Sequence, residues 1–528
     1  MTQVASQGTA PTPEPARPGQ PTLGGRVGQL VRRRAVPAPR TVQESLLDTG
    51  SVVTSIPPLP EELSARRLLS RGQAVTGLVV LVALVVRVIW SVATGGAQAL
   101  VGWVRAAIIA VTILYLMVIV FKVAMVVSGG SAHVLRFRPA DLRVIPDEAL
   151  PRYTVLVPLH REAEVLPHLI ARLSDLDYPA DKLEVLLLIE EDDTATRAAL
   201  DQLTLGPQFE VVLIPHSEPK TKPKACNIGL ARATGEFCVI YDAEDRPDRN
   251  QLRKAVLAFR LLPDRVVCLQ AELQYWNPWT NWLTQCFAAE YATNFSLSLR
   301  GLDRHRLAIP LGGTSNHFRR DALVALGGWD PYNVTEDADL GIRIARRGWD
   351  VRMMHSVTEE EANSRVGNWI RQRSRWIKGY IQTWLVHTRH PVRLWRDLGT
   401  KRTVAMHLTL GFSTVTTLIN PIFWALTLVY LITGPRYLDP IFPTPVLYAG
   451  ALTMVAGNAL MAYSLMSGCM ERGLYRAVRT MITVPAYWAL MSVAAYKALI
   501  QLLRPSKRHF WELTEHGLVD HADAPPTR

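Results

Sequence analysis

Apolar runs divide the chain into membrane-like segments on either side of a soluble one. Residues 1–60 are rich in Pro, Gly, Ala and Arg and show no apolar periodicity, which is typical of a disordered tail. Apolar runs at 74–94 and 103–127 follow, and runs at about 404–433 and 443–467 come after the soluble segment. Each is long enough to cross a bilayer as a helix. The pattern therefore predicts two spans before the soluble segment and two after it.

The soluble segment alternates short apolar strands with helices. The strand patterns are TVLVPL (154–159), LEVLLLI (183–189), EVVLIP (210–215) and EFCVIY (236–241). Helical patterns such as Glu164–Leu173 and Gln251–Leu261 lie between them. This alternation predicts an α/β domain with a mostly parallel sheet, whose ligand lies beyond the carboxyl ends of the strands.

A last apolar segment, 480–503, is interrupted by Tyr487, Trp488 and Lys497. These side chains suit a helix lying along the membrane surface better than a span, so we expect four crossings in total. Basic residues flank the first pair of spans, before 74 and after 127, which favours cytosolic flanks. The sequence thus predicts a multi-pass cell-membrane protein whose soluble domain and both termini are cytosolic.

Charge and cysteine content narrow the class of protein. The formal net charge of +12 suits nucleic acid, anionic lipid or an anionic substrate. No nucleic-acid module is recognisable, and the apolar runs favour the lipid bilayer as partner. The five cysteines show no metal-ligand spacing, which predicts reduced and mostly buried thiols rather than a disulfide framework.

Acidic residues cluster where predicted strands end. The clusters are Glu190 to Asp193, Asp242 to Asp245, TEDAD at 335–339 and TEEE at 358–361. Carboxylates gathered at one sheet edge repel one another unless a cation holds them, and Mg²⁺ takes a few carboxylates together with phosphate oxygens. Lys222 and Lys224, in KTKPKACN, offer positive charge for a diphosphate. A single acidic turn is more often a solvated loop, but two at adjacent strand ends indicate a site.

The stretch WIRQRSRWIKGYIQTW, residues 369–384, combines aromatic and basic side chains on one predicted helix. Helical spacing puts Arg371, Arg375, Lys378 and Gln382 on one polar side of it. One interpretation is an amphipathic helix at a membrane surface, with cations on lipid phosphates. The other is that some of these groups hold a sugar diphosphate and its acceptor. The two interpretations are compatible, and this stretch alone does not choose between them.

Taken in order, these motifs resemble the processive family 2 glycosyltransferases, of the cellulose synthase and hyaluronan synthase type, over roughly residues 150–380. The matching stretches are VPLHREAE, KPKACN, YDAEDRP, TED and QRSRW. The resemblance implies a GT-A-type, mostly parallel sheet that binds a nucleotide sugar and is inserted between transmembrane helices. It also implies LGGTSN, residues 311–316, as the floor of the acceptor site.

The resemblance assigns expected roles to individual residues. The expected donor-binding residues are Glu162 near the nucleotide, Glu190 reading uracil, and Lys222, Lys224 and Arg375 at the diphosphate. The expected metal ligands for Mg²⁺ (or Mn²⁺) are Asp242, which also binds the donor, and Glu244. Since aspartate is more usual at the position of Glu244, it is open whether Glu244 or Asp245 contacts the metal. The expected catalytic pair is Glu336 and Asp337, with Asp337 as the base, and Gln372, Arg375 and Trp376 form the QxxRW signature.

The segment HFWELTEHG, residues 509–517, resembles the gating loop of cellulose synthases. The resemblance implies that Thr514 and His516 contact the donor phosphates. The expected domain boundaries are a cytosolic tail at 1–65, two transmembrane helices at 66–130, a glycosyltransferase domain at 148–400, two more transmembrane helices at 401–470, an interfacial helix and gating-like segment at 478–518, and a tail at 519–528.

The expected function is inverting polymerisation of sugars from UDP-glucose or a UDP-N-acetylhexosamine into a β-linked polysaccharide. The expected partners are the nucleotide-sugar donor, the growing polysaccharide and the bilayer. The sequence is also compatible with a homo-oligomer or with a separate export partner. Two alternatives are transfer of a single sugar to a polyprenyl phosphate, and a non-catalytic membrane scaffold. The first alternative would use the same nucleotide-binding residues but would not need the QxxRW signature, and the intact set of acidic residues argues against the second.

Overall fold

The computed structural model describes residues 56–433 and 444–512. Contacts divide the chain into two units, one of residues 1–50 with 137–144 and the other of 51–136 with 145–528. The described part of the first unit contains one short helix, Pro139–Leu142. The second unit contains the sheet, the apolar helices and all the residues discussed below.

An eight-stranded mixed sheet forms the centre of the second unit. The strands are β1 (Tyr153–Leu159), β2 (Leu183–Glu190), β3 (Phe209–Ile214), β4 (Phe237–Ile240), β5 (Arg246–Pro247), β6 (Val266–Tyr275), β7 (Asn316–Arg319) and β8 (Asp350–Glu360). Their order in the sheet is β3-β2-β1-β4-β7-β6-β8-β5. Strands β1 to β4 are parallel, β7 is antiparallel to both of its neighbours, and β5 is antiparallel to β8.

Helices cover the sheet and extend away from it. Numbered in chain order, with Pro139–Leu142 as α2, they are α1 (Arg71–Gly130), α3 (Leu166–Ser174), α4 (Thr194–Leu200), α5 (Lys222–Arg232), α6 (Gln251–Leu261), α7 (Trp282–Thr293), α8 (Leu299–Arg304), α9 (Arg320–Ala325), α10 (Glu336–Arg346), α11 (Val366–His387), α12 (Pro391–Met406), α13 (Ser413–Thr433), α14 (Thr444–Leu452), α15 (Asn458–Glu471), α16 (Tyr475–Thr480) and α17 (Val484–Leu503). Short π-helical segments at Asn294–Ser298, His407–Phe412 and Thr453–Gly457 join neighbouring helices.

The predicted α/β fold class is confirmed. The four predicted strands coincide with β1 to β4 to within a residue or two, and the predicted helix Gln251–Leu261 is α6. The four later strands were not predicted. β7 places Asn316 and His317 in the core, where their side chains are at most 2% exposed, so an apolar pattern does not reveal it. The five cysteines are buried and unpaired, as expected.

Four helical stretches among the described residues are long and apolar enough to cross a membrane. They are Arg71–Gly130, Pro391–Val429, Leu447–Glu471 and Tyr475–Leu503. The first bends at Gly96, whose φ of 60° leaves the helical region, and so contains both segments predicted as separate spans. Its Leu78, Ile89 and Trp90 are more than 60% exposed, as expected of side chains that face lipid.

The stretch Tyr475–Leu503 contains the segment that we expect at the membrane surface. Its second helix, α17, packs against α11 and α13. The hydroxyls of Ser492 and Tyr496 donate hydrogen bonds to the backbone oxygens of Thr417 and Leu418 in α13. These contacts fix α17 against its neighbours. They do not show where α17 lies relative to the membrane, so four crossings with α17 at the membrane surface stay a prediction.

Two glycines allow α1 to lie directly against the segment 294–304. A Cβ on Gly129 would lie 1.8 Å from the backbone oxygen of Leu297, and a Cβ on Gly301 would lie 2.0 Å from that of Met125. The backbones therefore meet without intervening side chains, as small residues permit at helix crossings. This contact joins the first apolar helix to the α/β domain.

We predict that Gly129→Ala lowers the stability of the protein, because the added methyl must push the two backbones apart. Overpacking of this kind costs about 1–3 kcal/mol. The matched control is Gly130→Ala, whose Cβ would meet only the Cδ2 atom of Leu297 at 3.8 Å. Thermal unfolding in detergent should show a lower Tm for Gly129→Ala alone, and equal Tm values would contradict the close contact.

Candidate active site

Acidic residues from three parallel strands meet at one edge of the sheet. Glu190 is the last residue of β2, and Glu162 and Asp242 follow β1 and β4. Since β1 pairs in parallel with both β2 and β4, their carboxyl ends lie side by side. All three residues line one cavity of about 750 Å³. The structure thus brings together residues that lie far apart in the sequence.

The turn after β4 separates a structural carboxylate from two that face the cavity. Asp245 is 1% exposed and accepts hydrogen bonds from the backbone of Asp242 and the hydroxyl of Thr314. Asp242 and Glu244 line the cavity, whereas Asp245 does not. Of the two alternatives for a second metal ligand, this geometry favours Glu244.

The two candidate lysines have different surroundings. Lys222 lines the cavity, where its Nζ lies 2.5 Å from Asp242 Oδ1 and donates to the backbone oxygen of Gly313 at 2.9 Å. Lys224 is buried against Glu190, 3.1 Å away, and also donates to the carbonyls of Pro215 and Ser217. Lys224 is therefore placed to fix Glu190, and Lys222 is the lysine placed to meet an anionic ligand.

The predicted catalytic pair begins helix α10. Glu336 is buried and Asp337 is half-buried, and both line the cavity. Burial raises the pKa of both carboxyls, and repulsion from Asp337 raises that of Glu336 further, while Lys222 and Arg375 oppose the rise. A Cβ on Gly313 would lie 3.6 Å from Asp337 Oδ2, so the 311–316 loop passes beside this carboxylate.

The QxxRW residues lie on α11 and line the same cavity. The Gln372 side chain accepts a hydrogen bond from Asn363 at 2.9 Å. The Arg375 guanidinium lies 4.4 Å from the ring centroid of Trp511. Burial lowers the pKa of Arg375, and the negative charges of Glu336, Asp242 and Asp337 partly offset this effect. The Trp376 ring stacks on Tyr291 with centroids 6.1 Å apart.

The cavity continues from the acidic edge into the space between the apolar helices. At one end it is lined by Glu162, Asp242 and Glu336. Among the apolar helices its walls carry hydroxyl and amide side chains together with aromatic rings: Tyr115, Thr409, Ser413, Thr414, Thr416, Thr417, Asn420, Trp424 and Asn458. From Lys122 to Tyr115 this wall follows α1 for about 10 Å.

Sequence reasoning missed several cavity residues. Glu360, at the end of β8, lies near Asp242 and Glu244. Burial raises the pKa of Glu360 well above its usual range, and the negative charges of these two neighbours raise it further. The sequence places Glu360 in the acidic cluster TEEE but does not predict that it lies near Asp242 and Glu244. Glu290, Arg373 and Tyr487 also line the cavity. Glu290 and Tyr487 belong to segments without a recognisable motif, so only the fold reveals them.

Of the predicted gating segment, Trp511 and Glu512 are described, while Thr514 and His516 lie outside the described residues. Glu512 accepts hydrogen bonds from Lys497 at 2.9 Å and from the Ser374 hydroxyl at 3.2 Å. The Lys378 ammonium donates to the carbonyls of Lys507 and Phe510. The chain preceding Thr514 is therefore anchored along α11.

The donor set fits a divalent cation that shares its coordination with a ligand. Among the described residues no group of three or more His, Cys, Asp or Glu side chains has the geometry of a metal site. Asp242 and Glu244 nevertheless both face the cavity. Mg²⁺ is commonly held by one or two carboxylates with water and phosphate oxygens completing its shell. These two carboxylates match that arrangement.

Comparisons with known proteins concern mainly the α/β domain. Residues 151–379 match the model of the family described as Glycosyltransferase like family 2. The match covers the α/β domain through the QxxRW signature and leaves the apolar helices outside it. The central segment is thus similar to the family 2 glycosyltransferases.

Individual relatives cover only part of the chain. It is 29% identical over 242 residues to the beta-monoglucosyldiacylglycerol synthase of Synechocystis, a match that covers 45% of this chain and 50% of that protein. It is 26% identical over 251 residues to a probable glucomannan 4-beta-mannosyltransferase of Arabidopsis thaliana, covering 45% of this chain and 44% of that protein. A solved structure of the mannosyltransferase PcManGT from Pyrobaculum calidifontis, in complex with GDP-Man and Mn²⁺, is 22% identical with a TM-score of 0.48, covering 75% and 99% of the two chains. The chain spans about half the length of the two curated relatives.

We predict that Asp337→Asn abolishes sugar transfer while leaving nucleotide binding intact, because the change removes the proton acceptor and keeps the shape of the side chain. Asp242→Asn should weaken metal-dependent nucleotide binding as well. Calorimetric titration with UDP and Mn²⁺, beside a transfer assay, separates the two effects. Asp321→Asn, an exposed change outside the cavity, is the control. Appreciable transfer by Asp337→Asn would contradict its role as base.

The surroundings of Asp337 also predict a pH dependence. Its pKa is raised to about 6, chiefly by burial, and it must be ionised to accept a proton. We expect the transfer rate to decline as the pH falls through about 6, well above the usual range of an aspartate. A pH profile of the rate constant for transfer, measured with saturating donor, tests this. A rate that stays level down to pH 5 would rule out Asp337 as the titrating group.

Proposed function

We propose that the protein is a membrane-embedded glycosyltransferase that uses a nucleotide-sugar donor. The nucleotide lies at the carboxyl edge of the sheet, near Glu162 and Glu190. Asp242 and Glu244 would hold a divalent cation, Mg²⁺ or Mn²⁺, which would neutralise charge on the donor diphosphate. The cavity-facing cations Lys222 and Arg375 share this task, and guanidinium groups suit phosphate oxygens especially well.

Asp337 then acts as the general base. It accepts the proton of an acceptor hydroxyl, whose oxygen forms a bond to the anomeric carbon of the donor sugar. The bond from that carbon to the diphosphate oxygen breaks, and the nucleoside diphosphate leaves with the electron pair. A single displacement inverts the configuration, so an α-linked donor gives a β-glycoside. Glu336, whose pKa is raised to about 8, lies beside Asp337 as its partner.

The acceptor that we propose is a growing β-linked polysaccharide. The observation that carries this proposal is that a single cavity is lined by Asp337, by Trp376 and by side chains of the apolar helices. Trp376, the aromatic residue of the QxxRW signature, stacks on the acceptor sugar, and the hydroxyl, amide and aromatic side chains along the walls suit the hydroxyls and the C–H faces of sugar rings. The polymer would leave along this path, alone or with an export partner. A relative named as a glucomannan mannosyltransferase supports a polymer product.

A lipid acceptor is the second candidate. A relative named beta-monoglucosyldiacylglycerol synthase favours transfer of one sugar to a lipid, which could enter the cavity between the apolar helices. The sequence-based version of this alternative is a polyprenyl phosphate acceptor. The donor end of the site would be unchanged. A non-catalytic scaffold is disfavoured, because Asp242, Glu244 and Asp337 are all in place around the cavity.

The donor sugar that we propose is glucose or an N-acetylhexosamine carried on UDP. Glu190 is the expected uracil partner, and its pairing with Lys224 holds its carboxylate at the nucleotide end of the cavity. The proposed location is the cell membrane, with the catalytic domain and both termini in the cytosol.

A product assay tests the proposal. Purified protein in lipid vesicles, given labelled UDP-glucose, UDP-N-acetylglucosamine or GDP-mannose with Mg²⁺ or Mn²⁺, should convert one donor into a β-glycosidase-sensitive polymer that remains in water on solvent extraction. A labelled product that moves into the organic phase would support the lipid acceptor instead. Loss of the product with EDTA is expected, and Asp337→Asn is the inactive control. No incorporation from any donor would contradict glycosyltransferase activity.

A further inference from the structure

The two arginines of QRSRW lie on different sides of α11. Residues two apart on an α-helix project about 200° from each other. Arg375 is directed to the donor end, where Glu336, Asp242 and Asp337 surround it. Arg373 is directed instead to α7 and α17, where it meets Glu290 and Tyr487. The motif therefore has a second cation that the donor does not need.

Arg373 is held in an ion cluster built from three helices. Its Nη2 atom forms an ion pair with Glu290 of α7 and lies 3.1 Å from the hydroxyl of Tyr487 in α17. The Tyr487 hydroxyl in turn donates to Glu290 at 2.5 Å. All three residues line the cavity on the side of the apolar helices. A carboxylate, a guanidinium and a hydroxyl that bind one another in this way fix the relative positions of the three helices.

The same guanidinium packs against the acceptor tryptophan. Arg373 lies 4.6 Å from the ring centroids of both Trp376 and Phe287, and 5.5 Å from that of Trp369. Trp376 follows Arg373 by three residues and so shares its side of α11. Cations over aromatic faces attract the ring most strongly when water is excluded, and Arg373 is only 7% exposed. The orientation of Trp376 thus depends on where Glu290 and Tyr487 hold Arg373.

We propose that Arg373 is a positioning residue for the acceptor sugar, acting through Trp376 under the control of Glu290 and Tyr487. The proposal rests on the proposed function, in which Trp376 stacks on the acceptor. A correctly placed ring holds the acceptor hydroxyl between Asp337 and the anomeric carbon and keeps water out of that position. Without it, the activated donor is attacked more often by water.

The experiment measures how the donor is partitioned between transfer and hydrolysis. Labelled nucleotide sugar is given to Arg373→Met, to Arg373→Lys and to Tyr487→Phe, and both glycosylated product and free sugar are counted. The double variant Glu290→Gln/Arg373→Met removes both charges, so it remains informative if an unpaired Glu290 prevents the single variant from folding. Arg371→Met is the matched control, because Arg371 lies on the same helix, bonds to Asn368 and does not line the cavity.

We expect Arg373→Met and the double variant to raise the ratio of hydrolysis to transfer by about tenfold, with a donor KM within about twofold of that of the wild type. Arg373→Lys should regain part of the transfer because it restores the charge beside Glu290, and Tyr487→Phe should show a smaller change in the same direction. Arg371→Met should behave like the wild type.

Two results would overturn the inference alone. They are an unchanged partition ratio in folded variants, and a loss of transfer that is matched by a rise in donor KM, which would assign Arg373 to the donor site. Failure of the proposed function looks different: the wild-type protein would then neither transfer nor hydrolyse any nucleotide sugar and would not bind UDP. That result would overturn both.

Discussion

The mutual repulsion of carboxylates at the sheet edge is the constraint on which the site depends. Asp242, Glu244 and Glu360 are brought together by the ends of β4 and β8, with Glu336 and Asp337 across the cavity. Burial and mutual repulsion raise the pKa of Glu336 and Glu360. Lys222 and Arg375 oppose this repulsion and make the cluster tolerable in the folded chain. The divalent cation that we propose would lower this repulsion and would supply positive charge for a diphosphate.

Helix α11 connects this acidic edge to the rest of the molecule. Arg375 lies near the carboxylates of Glu336, Asp242 and Asp337. Arg373 and Trp376 line the same cavity, and α17 packs along the helix. Lys378 and Gln382 bind backbone carbonyls between residues 507 and 510. The donor site, the cavity and the C-terminal segment therefore share a single rigid element. A displacement of α11 would change all three together, which suits an enzyme that must align a donor, an acceptor and a covering segment.

The sequence predicted the edge of the sheet at β1 to β4 well, because the polar residues at strand ends stand in contiguous motifs. β1 to β4 and the positions of Glu162, Glu190 and Asp242 follow from short apolar runs that end in acidic residues. The part of the cavity that is lined by Glu290 and Tyr487 was not predictable in the same way. Glu290 and Tyr487 are 197 residues apart, and each reads as an ordinary residue of an apolar helix. Only the packing of α7 against α11 and α17 places them together.

The amphipathic interpretation of residues 369–384 was partly wrong for a related reason. Helical spacing placed Arg371, Arg375, Lys378 and Gln382 on one polar side, which suggested contact with solvent or lipid phosphates. In the structure the Lys378 and Gln382 side chains are buried, and their partners are carbonyls of the C-terminal segment. A polar side of a helix shows where hydrogen bonds will form, but the partner can be another part of the chain.

The anchoring of the C-terminal segment bears on how the cavity is covered. Trp511 lies against Arg375, the cation that we assign to the leaving diphosphate, and Trp511 itself lines the cavity. Glu512 is tied to both α11 and α17 through Ser374 and Lys497. An anchor of this kind keeps the indole ring of Trp511 over the Arg375 guanidinium, at the end of the cavity where the proposed diphosphate would lie.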